Sequence, residues 1–241
     1  MSTVTDLSRP RALSRTAFAD ALVGAGDEYS LFDTRLFSFF ARESCPRSVL
    51  LTYARSIHEL APRFCATLSL LIEAAPDAEA RLVLLHNLME EEGIHLSPDK
   101  GLIVRPDRRH PALALRLVLA CGGSAEDAPA RDADTLGPAR GMLAEGRWTE
   151  AVAFLLVGQE LKFGRASDWL FEQYRRHGIA ERDLAFFAVH GVADCRHGQE
   201  AIDLLLDRVH DRDEQERCIA AARAGAKHWF EKMGGAARAS A

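Results

Sequence analysis

The chain has 241 residues, 48% of them apolar, and a formal net charge of −5. This apolar content is enough for a sizeable core. Lysine and arginine are scattered rather than arranged in a basic stripe, so we expect no nucleic-acid partner. No apolar run approaches the ~20 residues that span a bilayer, and the first residues lack the apolar core of a secretion signal. We therefore predict a cytoplasmic protein without membrane contact.

The five cysteines give no sign of a disulfide framework. Their number is odd and no two have the CxxC spacing of a structural zinc site; they are Cys45, Cys65, Cys121, Cys195 and Cys218. Secreted disulfide-rich domains use even numbers of closely spaced cysteines. We interpret these residues as reduced thiols, most of them buried.

The sequence predicts an all-α protein. Alanine, leucine, arginine and glutamate dominate, and no alternation of apolar and polar residues extends beyond a few positions, so no strand is required. Pro62 should bend the longest helix. The predicted helices lie near 16–24, 33–42, 46–75, 77–92, 110–121, 135–145, 148–177, 181–209 and 212–233.

The connections between these helices are short, and no repeat or flexible linker divides the chain. We therefore predict one helical bundle of about seven to nine helices that forms a single domain over 1–241. Residues 1–14 are expected to be a flexible tail and 234–241 a frayed end. The stretch between the fourth and fifth helices is predicted to be a loop, and 124–134 a polar connector.

The stretch FFAVHGVADCRH places two histidines and an aspartate on one helix face. His190, Asp194 and His197 are four and three residues apart, so at about 100° of rotation per residue their side chains converge. Two imidazoles and a carboxylate that leave coordination positions open suit non-haem iron(II), and zinc would accept a similar set. A solvated helix face is the alternative. The apolar residues on both sides instead indicate a core helix, where a charged group needs a partner or a metal.

Three adjacent glutamates end an earlier helix in NLMEEEG. The C-terminal end of a helix already carries about half a negative charge, so Glu90, Glu91 and Glu92 together would be relieved by a nearby cation. The alternative is three exposed glutamates screened by solvent.

Two other residues are candidates of the same kind. Glu160 follows the apolar run AVAFLLVGQ, and buried glutamates are rare unless they are paired. A surface ion pair with Lys162 or Arg165 would also explain it. His110 begins the helix HPALALRL, where an exposed loop histidine is the ordinary interpretation.

Taken in order, NLxEExG, HPALxxRLxxxxG, a glutamate after an apolar run, and HxxxDxxH resemble the haem-oxygenase-like diiron oxidases and oxygenases. These belong to the wider iron-containing redox enzyme group, which shares its fold with haem oxygenase, TenA thiaminases and the PQQ-forming oxidase. The resemblance covers roughly 30–234, including the tail AARAGAKHWFEKM. It implies an up-and-down bundle of the haem-oxygenase type.

Carried over position by position, the resemblance implies a set of six iron ligands. One departure is the longer stretch between the glutamate and histidine motifs, IHLSPDKGLIVRPDRR. It leaves a rival pair, Glu92 and His95, which would form an ExxH motif on one helix face. Because HPALALRLVLACG matches the family's helix start, His110 is preferred over His95. The implied ligands are Glu91, His110, Glu160, His190, Asp194 and His197.

By this resemblance, the leading hypothesis is a non-haem diiron enzyme that uses two Fe²⁺ ions and O2 as co-substrate. It would oxidise a small molecule, an amino acid or a fatty-acid-like substrate, by N-oxygenation, desaturation or C–C cleavage in a specialised biosynthetic pathway. Dimers are common in this fold, so a homodimer is one option for the assembly. Alternatives are a cofactor-independent oxidase like the PQQ-forming enzyme, a thiaminase with a nucleophilic cysteine, and a non-catalytic metal-binding helical interaction protein.

Overall fold

A computed structural model describes residues 11–126 and 136–236, with side chains to 232. The predicted residues 1–10 of the tail, 127–134 of the connector and 237–241 of the C-terminal end lie outside this range. The structure is an all-α bundle with one small two-stranded sheet. Its helices are α1 (Arg15–Gly24), α2 (Arg35–Phe40), α3 (Arg47–Glu73), α4 (Ala78–Glu91), α5 (His110–Ala120), α6 (Gly137–Ala144), α7 (Trp148–Val152), α8 (Leu161–Arg176), α9 (Ala185–Arg208) and α10 (Arg212–Ala236).

Helix starts and stops follow the local signals in the sequence. Ser14, Thr34 and Asp77 cap α1, α2 and α4 by accepting a backbone N–H, as in the 2.8 Å bond from Ala80 N to Asp77 Oδ1. Gly93 follows α4 with φ +67°, a left-handed conformation that glycine adopts without strain. Within the described residues, no helix is long and apolar enough to cross a membrane.

The prediction of a strand-free loop after α4 is wrong. Two antiparallel strands, β1 (Ile94–Ser97) and β2 (Gly101–Val104), pair with Ile94 opposite Val104 and Ser97 opposite Gly101. Three residues connect them, and Gly101 follows with φ +67°, which is the usual geometry of a three-residue hairpin. The hairpin ends α4 sharply and returns the chain to the start of α5.

The predicted helix at 148–177 is continuous but not regular. A π-helical segment, Ala153–Glu160, lies between α7 and α8. Such segments insert an extra residue into a helical turn and are frequent at functional sites. Every residue of this one is buried, and its last residue is a candidate ligand, Glu160.

The core has two halves that share the long helices. On α9, Phe186 and Phe187 pack with the half formed by α2, the first part of α3, α5 and α8. Further along the same helix, Ala201 and Leu205 pack with the half that includes α1, α4, α6 and the π segment. The turns of α9 between 190 and 197 therefore lie between the two apolar halves.

Candidate metal centre

The first of two polar clusters joins the C-terminal end of α4 and the N-terminal end of α5 to α9. It consists of Glu91, His110 and His190, all buried, with ligand atoms that all lie within 4.8 Å of one another. Glu91 Oε2 lies 2.7 Å from His110 Nδ1. His190 Nδ1 lies 2.7 Å from the carbonyl oxygen of Phe186, and because that oxygen only accepts, Nδ1 carries the proton. The lone pair of His190 is therefore on Nε2.

The second cluster joins the π segment to the next turn of α9. Glu160, Asp194 and His197 are buried, and their ligand atoms also lie within 4.8 Å of one another. His197 Nδ1 is 2.7 Å from Glu160 Oε1. Asn87 Nδ2 donates to both oxygens of Glu160, at 3.1 and 3.3 Å. The structure thus brings all six predicted residues together in two groups of three.

Burial and mutual repulsion shift the protonation of the carboxylates. Burial raises the pKa of Asp194 well above its ordinary value, and the neighbouring Glu160 and Glu91 raise it further. Burial also raises the pKa of Glu160, although His197 partly offsets this. Without a cation, these groups are costly to keep ionised.

The two histidines of α9 are shifted in opposite directions. Burial lowers the pKa of His190 well below its ordinary value, and the adjacent His110 ring lowers it further, so His190 is neutral. Burial disfavours the charged form of His197 as well, but Glu160 and Glu90 outweigh it and raise its pKa to about 10. In the absence of metal, the protonated ring of His197 therefore supplies a positive charge among the carboxylates.

Three glycines let α8 and α9 approach closely enough to form this site. A Cβ on Gly164 would lie 2.7 Å from the Cβ of Asp194, and one on Gly198 would lie 2.6 Å from the Cβ of Leu161. A Cβ on Gly191 would meet Asp168 Oδ1 at 2.5 Å. Although glycine weakens a helix, Gly164 and Gly198 leave no room for a larger residue, whereas at Gly191 the end of the Asp168 side chain would have to move.

Both clusters border one small cavity of about 50 Å³. Glu91 and His190 come from the first group, and Glu160 and Asp194 come from the second. The remaining walls are mostly apolar; they are formed by Ile57, Leu60, Ala61, Phe64, Gln159, Phe163, Phe186 and Trp229.

The rival pair Glu92 and His95 does not form the predicted helical motif. Helix α4 ends at Glu91, and His95 is exposed on β1, where it pairs with Ile103. Glu92 instead accepts a hydrogen bond of 2.7 Å from Arg109. The chain turns after Gly93, so the two residues no longer share a helix face.

The donor set fits metal ions of the iron type. Within the described part of the chain, Asp194 Oδ1 is buried without a hydrogen-bond partner, and the short contact between Glu91 and His110 Nδ1 lacks the alignment of a hydrogen bond. Buried polar atoms are rarely left in this state, and a metal ion would satisfy them. Imidazole nitrogens and carboxylate oxygens are ligands that iron accepts.

The family comparison agrees with this chemistry. A sequence model of the iron-containing redox enzymes matches residues 52–230. The chain belongs to the iron-containing redox enzyme family. No curated protein gives a significant match. Membership of this family supports an oxidoreductase role and implies iron. The two buried groups of three residues described above could bind iron in this redox enzyme.

Sequence patterns missed several residues around the centre. Asn87 lies one helical turn before Glu91, and its amide was not distinguished from other polar positions of α4. Gln159 and Trp229 line the cavity, and each has a buried N–H group without a partner among the described residues. The only available signal for Gln159 was its place next to Glu160 at the end of an apolar run.

Metal binding is expected to release protons and to strengthen as pH rises. In the metal-free protein, His197 stays protonated up to a pKa of about 10, and the pKa values of Asp194 and Glu160 are raised. These groups bind metal only after losing their protons. For each proton released, affinity should rise up to about tenfold per pH unit between pH 6 and 8. Calorimetric titration with Mn²⁺ in buffers of different ionisation enthalpy measures this release, and pH-independent affinity would contradict it.

Proposed function

We propose that the chain is an O2-dependent, non-haem diiron oxidase or oxygenase. The observation that supports this most directly is the pair of buried three-residue groups, Glu91/His110/His190 and Glu160/Asp194/His197, on one cavity. Three protein ligands for each metal leave coordination positions open. Two Fe²⁺ ions bound there would supply the electrons for reaction with O2.

The protein's own side chains would hold the ions and keep water out. Apolar residues form most of the cavity wall, and the ligands themselves are almost fully buried. A dry site strengthens electrostatic interactions and limits side reactions with solvent. The tautomer of His190 is set by the Phe186 carbonyl, so its free nitrogen is ready for a metal before one arrives.

The substrate in this proposal is a small molecule, an amino acid or a fatty-acid-like compound. The cavity measures about 50 Å³, a few times the ~10–15 Å³ that one water needs on the same measure, so it holds the reacting end of such a molecule rather than all of it. The unpartnered N–H groups of Gln159 and Trp229 would favour an acceptor oxygen on the substrate.

A cysteine-based thiaminase reaction has less support. Cys195 is the cysteine nearest the site in sequence, and burial raises the pKa of its thiol. A nucleophilic cysteine requires a lowered pKa and an adjacent base. The cysteine therefore lacks the environment of a catalytic nucleophile.

Rapid mixing with O2 tests the proposed activity. The protein is loaded anaerobically with two equivalents of Fe²⁺ and mixed with O2, alone and with panels of amino acids and fatty acids. We expect a transient visible absorption and substrate-dependent O2 uptake. Iron binding without O2 consumption under any condition would instead indicate a metal-binding interaction protein. O2 uptake with substrate in the metal-free protein would indicate a cofactor-independent oxidase.

A further inference from the structure

Glu90 contacts the candidate ligand His197 from outside the two groups of three. His197 is fully buried, and each of its ring nitrogens faces a carboxylate. Nδ1 lies 2.7 Å from Glu160 Oε1 inside the second group, and Nε2 lies 3.1 Å from Glu90 Oε2 on the opposite side. Glu90 itself is 18% exposed and reaches toward the protein surface.

Both ring nitrogens of His197 face carboxylates, so each carries a proton in the metal-free protein. Arg196 bonds to the same Glu90 oxygen, so this carboxylate oxygen lies between two nitrogen donors, the Arg196 guanidinium and the His197 ring. An ionised carboxylate only accepts hydrogen bonds, so Nε2 must donate to it. Arg196 also lies 3.3 Å from Nε2, and both nitrogens lie close to the same Glu90 oxygen.

We propose that Glu90 is a positioning residue that fixes the tautomer and orientation of His197 for a divalent transition metal at the Glu160/Asp194/His197 group. This inference rests on the proposed diiron function. With the proton of the neutral ring held on Nε2, the lone pair on Nδ1 faces Glu160, where the metal would bind. A carboxylate behind a ligating histidine also raises the basicity of the bound nitrogen.

The three adjacent glutamates at the end of α4 then have separate roles. Glu91 points into the first group, Glu90 holds a histidine of the second, and Glu92 pairs with Arg109 near the surface. Successive helix residues are rotated by about 100°, so three neighbours cannot share one face. The crowding of charge at this helix end therefore serves both groups, and Glu92 provides a matched control.

The test compares metal affinity in Glu90→Leu, Glu90→Gln and Glu92→Gln. Titration with Co²⁺ under nitrogen counts the sites through visible absorption and requires no turnover. We expect wild type and Glu92→Gln to bind two equivalents with equal affinity. Glu90→Leu should weaken one of the two sites by about 10- to 100-fold. Glu90→Gln retains an acceptor oxygen for Nε2, so it should weaken the same site less.

Nitrogen-15 NMR of histidine-labelled, Zn²⁺-loaded protein gives a readout that a purely structural role would not change. In wild type, the His197 proton should be on Nε2 and the metal on Nδ1, and this preference should weaken in Glu90→Leu. If wild type binds two metals and Glu90→Leu has the same metal affinity and the same His197 protonation, the inference is overturned and the proposed function is not. Wild-type protein with no metal at His197 would overturn both the inference and the proposed function. Thermal unfolding checks that each variant is folded.

Discussion

Replacing Asp194 with asparagine is expected to reduce the number of tightly bound Fe²⁺ ions from two to one and to abolish O2 consumption. Asp194 is 1% exposed, and one of its oxygens has no partner among the residues that the structure describes. Asparagine keeps the size of the side chain but cannot supply an anionic oxygen. The Glu91/His110/His190 group loses no ligand and should still bind. A cofactor-independent oxidase would not need this carboxylate and would retain activity.

The same substitution should separate metal-dependent stability from intrinsic stability. At a free metal concentration 100-fold above Kd, one site stabilises the folded state by about 2.7 kcal/mol. For a chain of this size, its loss lowers the Tm of the loaded protein by about 5–11 °C. Without metal, wild type and Asp194→Asn should have the same Tm, because the raised pKa of Asp194 already favours its uncharged form.

Asp203→Asn is the matched control for this experiment. Asp203 lies on the exposed side of the same helix and accepts a 3.2 Å hydrogen bond from Gln199. It should bind two ions and melt like wild type, with and without metal. Two tight equivalents in Asp194→Asn would show that Asp194 is not a ligand.

Replacing Gly225 with alanine is expected to destabilise the protein by about 1–3 kcal/mol. A Cβ at this position would lie 2.1 Å from the carbonyl oxygen of Phe154 and 3.1 Å from the Cα of Gly158. Both neighbours are backbone atoms of the π segment, which cannot move aside as a flexible side chain would. Helix α10 would have to separate from the segment that carries Glu160.

Gly141→Ala controls for the ordinary effect of removing a helical glycine. Gly141 lies inside α6, and a Cβ at this position would have no neighbour within 4 Å, so alanine there should stabilise by about 0.5–1 kcal/mol. Chemical denaturation of the metal-free proteins measures both changes. A Gly225→Ala variant as stable as wild type would contradict the close packing of α10 on the π segment.

The helices could be predicted from sequence because apolar periodicity and capping signals agree along most of the chain. The π-helical segment could not be predicted in this way. AVAFLLVGQE is apolar on every side, so it contains no periodic pattern that distinguishes a π-helical turn from an α-helical one. The hairpin was missed for another reason: each strand has only four residues, although Gly101 after Pro98 and Asp99 was a usable turn signal.

The candidate site, like the fold, could be predicted from sequence only in part. Three of its residues share one face of α9, so their spacing alone predicted that they meet. That Glu91, His110 and Glu160 join them came from a resemblance, because contacts between distant helices cannot be obtained from local spacing. The roles of Glu90 and Asn87 depend on which face of α4 is turned toward α9 and the π segment, and only the three-dimensional packing determines that.

Iron anomalous scattering from crystals grown anaerobically with Fe²⁺ tests the diiron proposal most directly. We expect two iron peaks about 2.0–2.2 Å from their ligand atoms, the distance range of metal bonds to imidazole and carboxylate groups. One should lie among Glu91, His110 and His190, and the other among Glu160, Asp194 and His197. A single peak, or iron bound elsewhere with these six side chains unliganded, would contradict it.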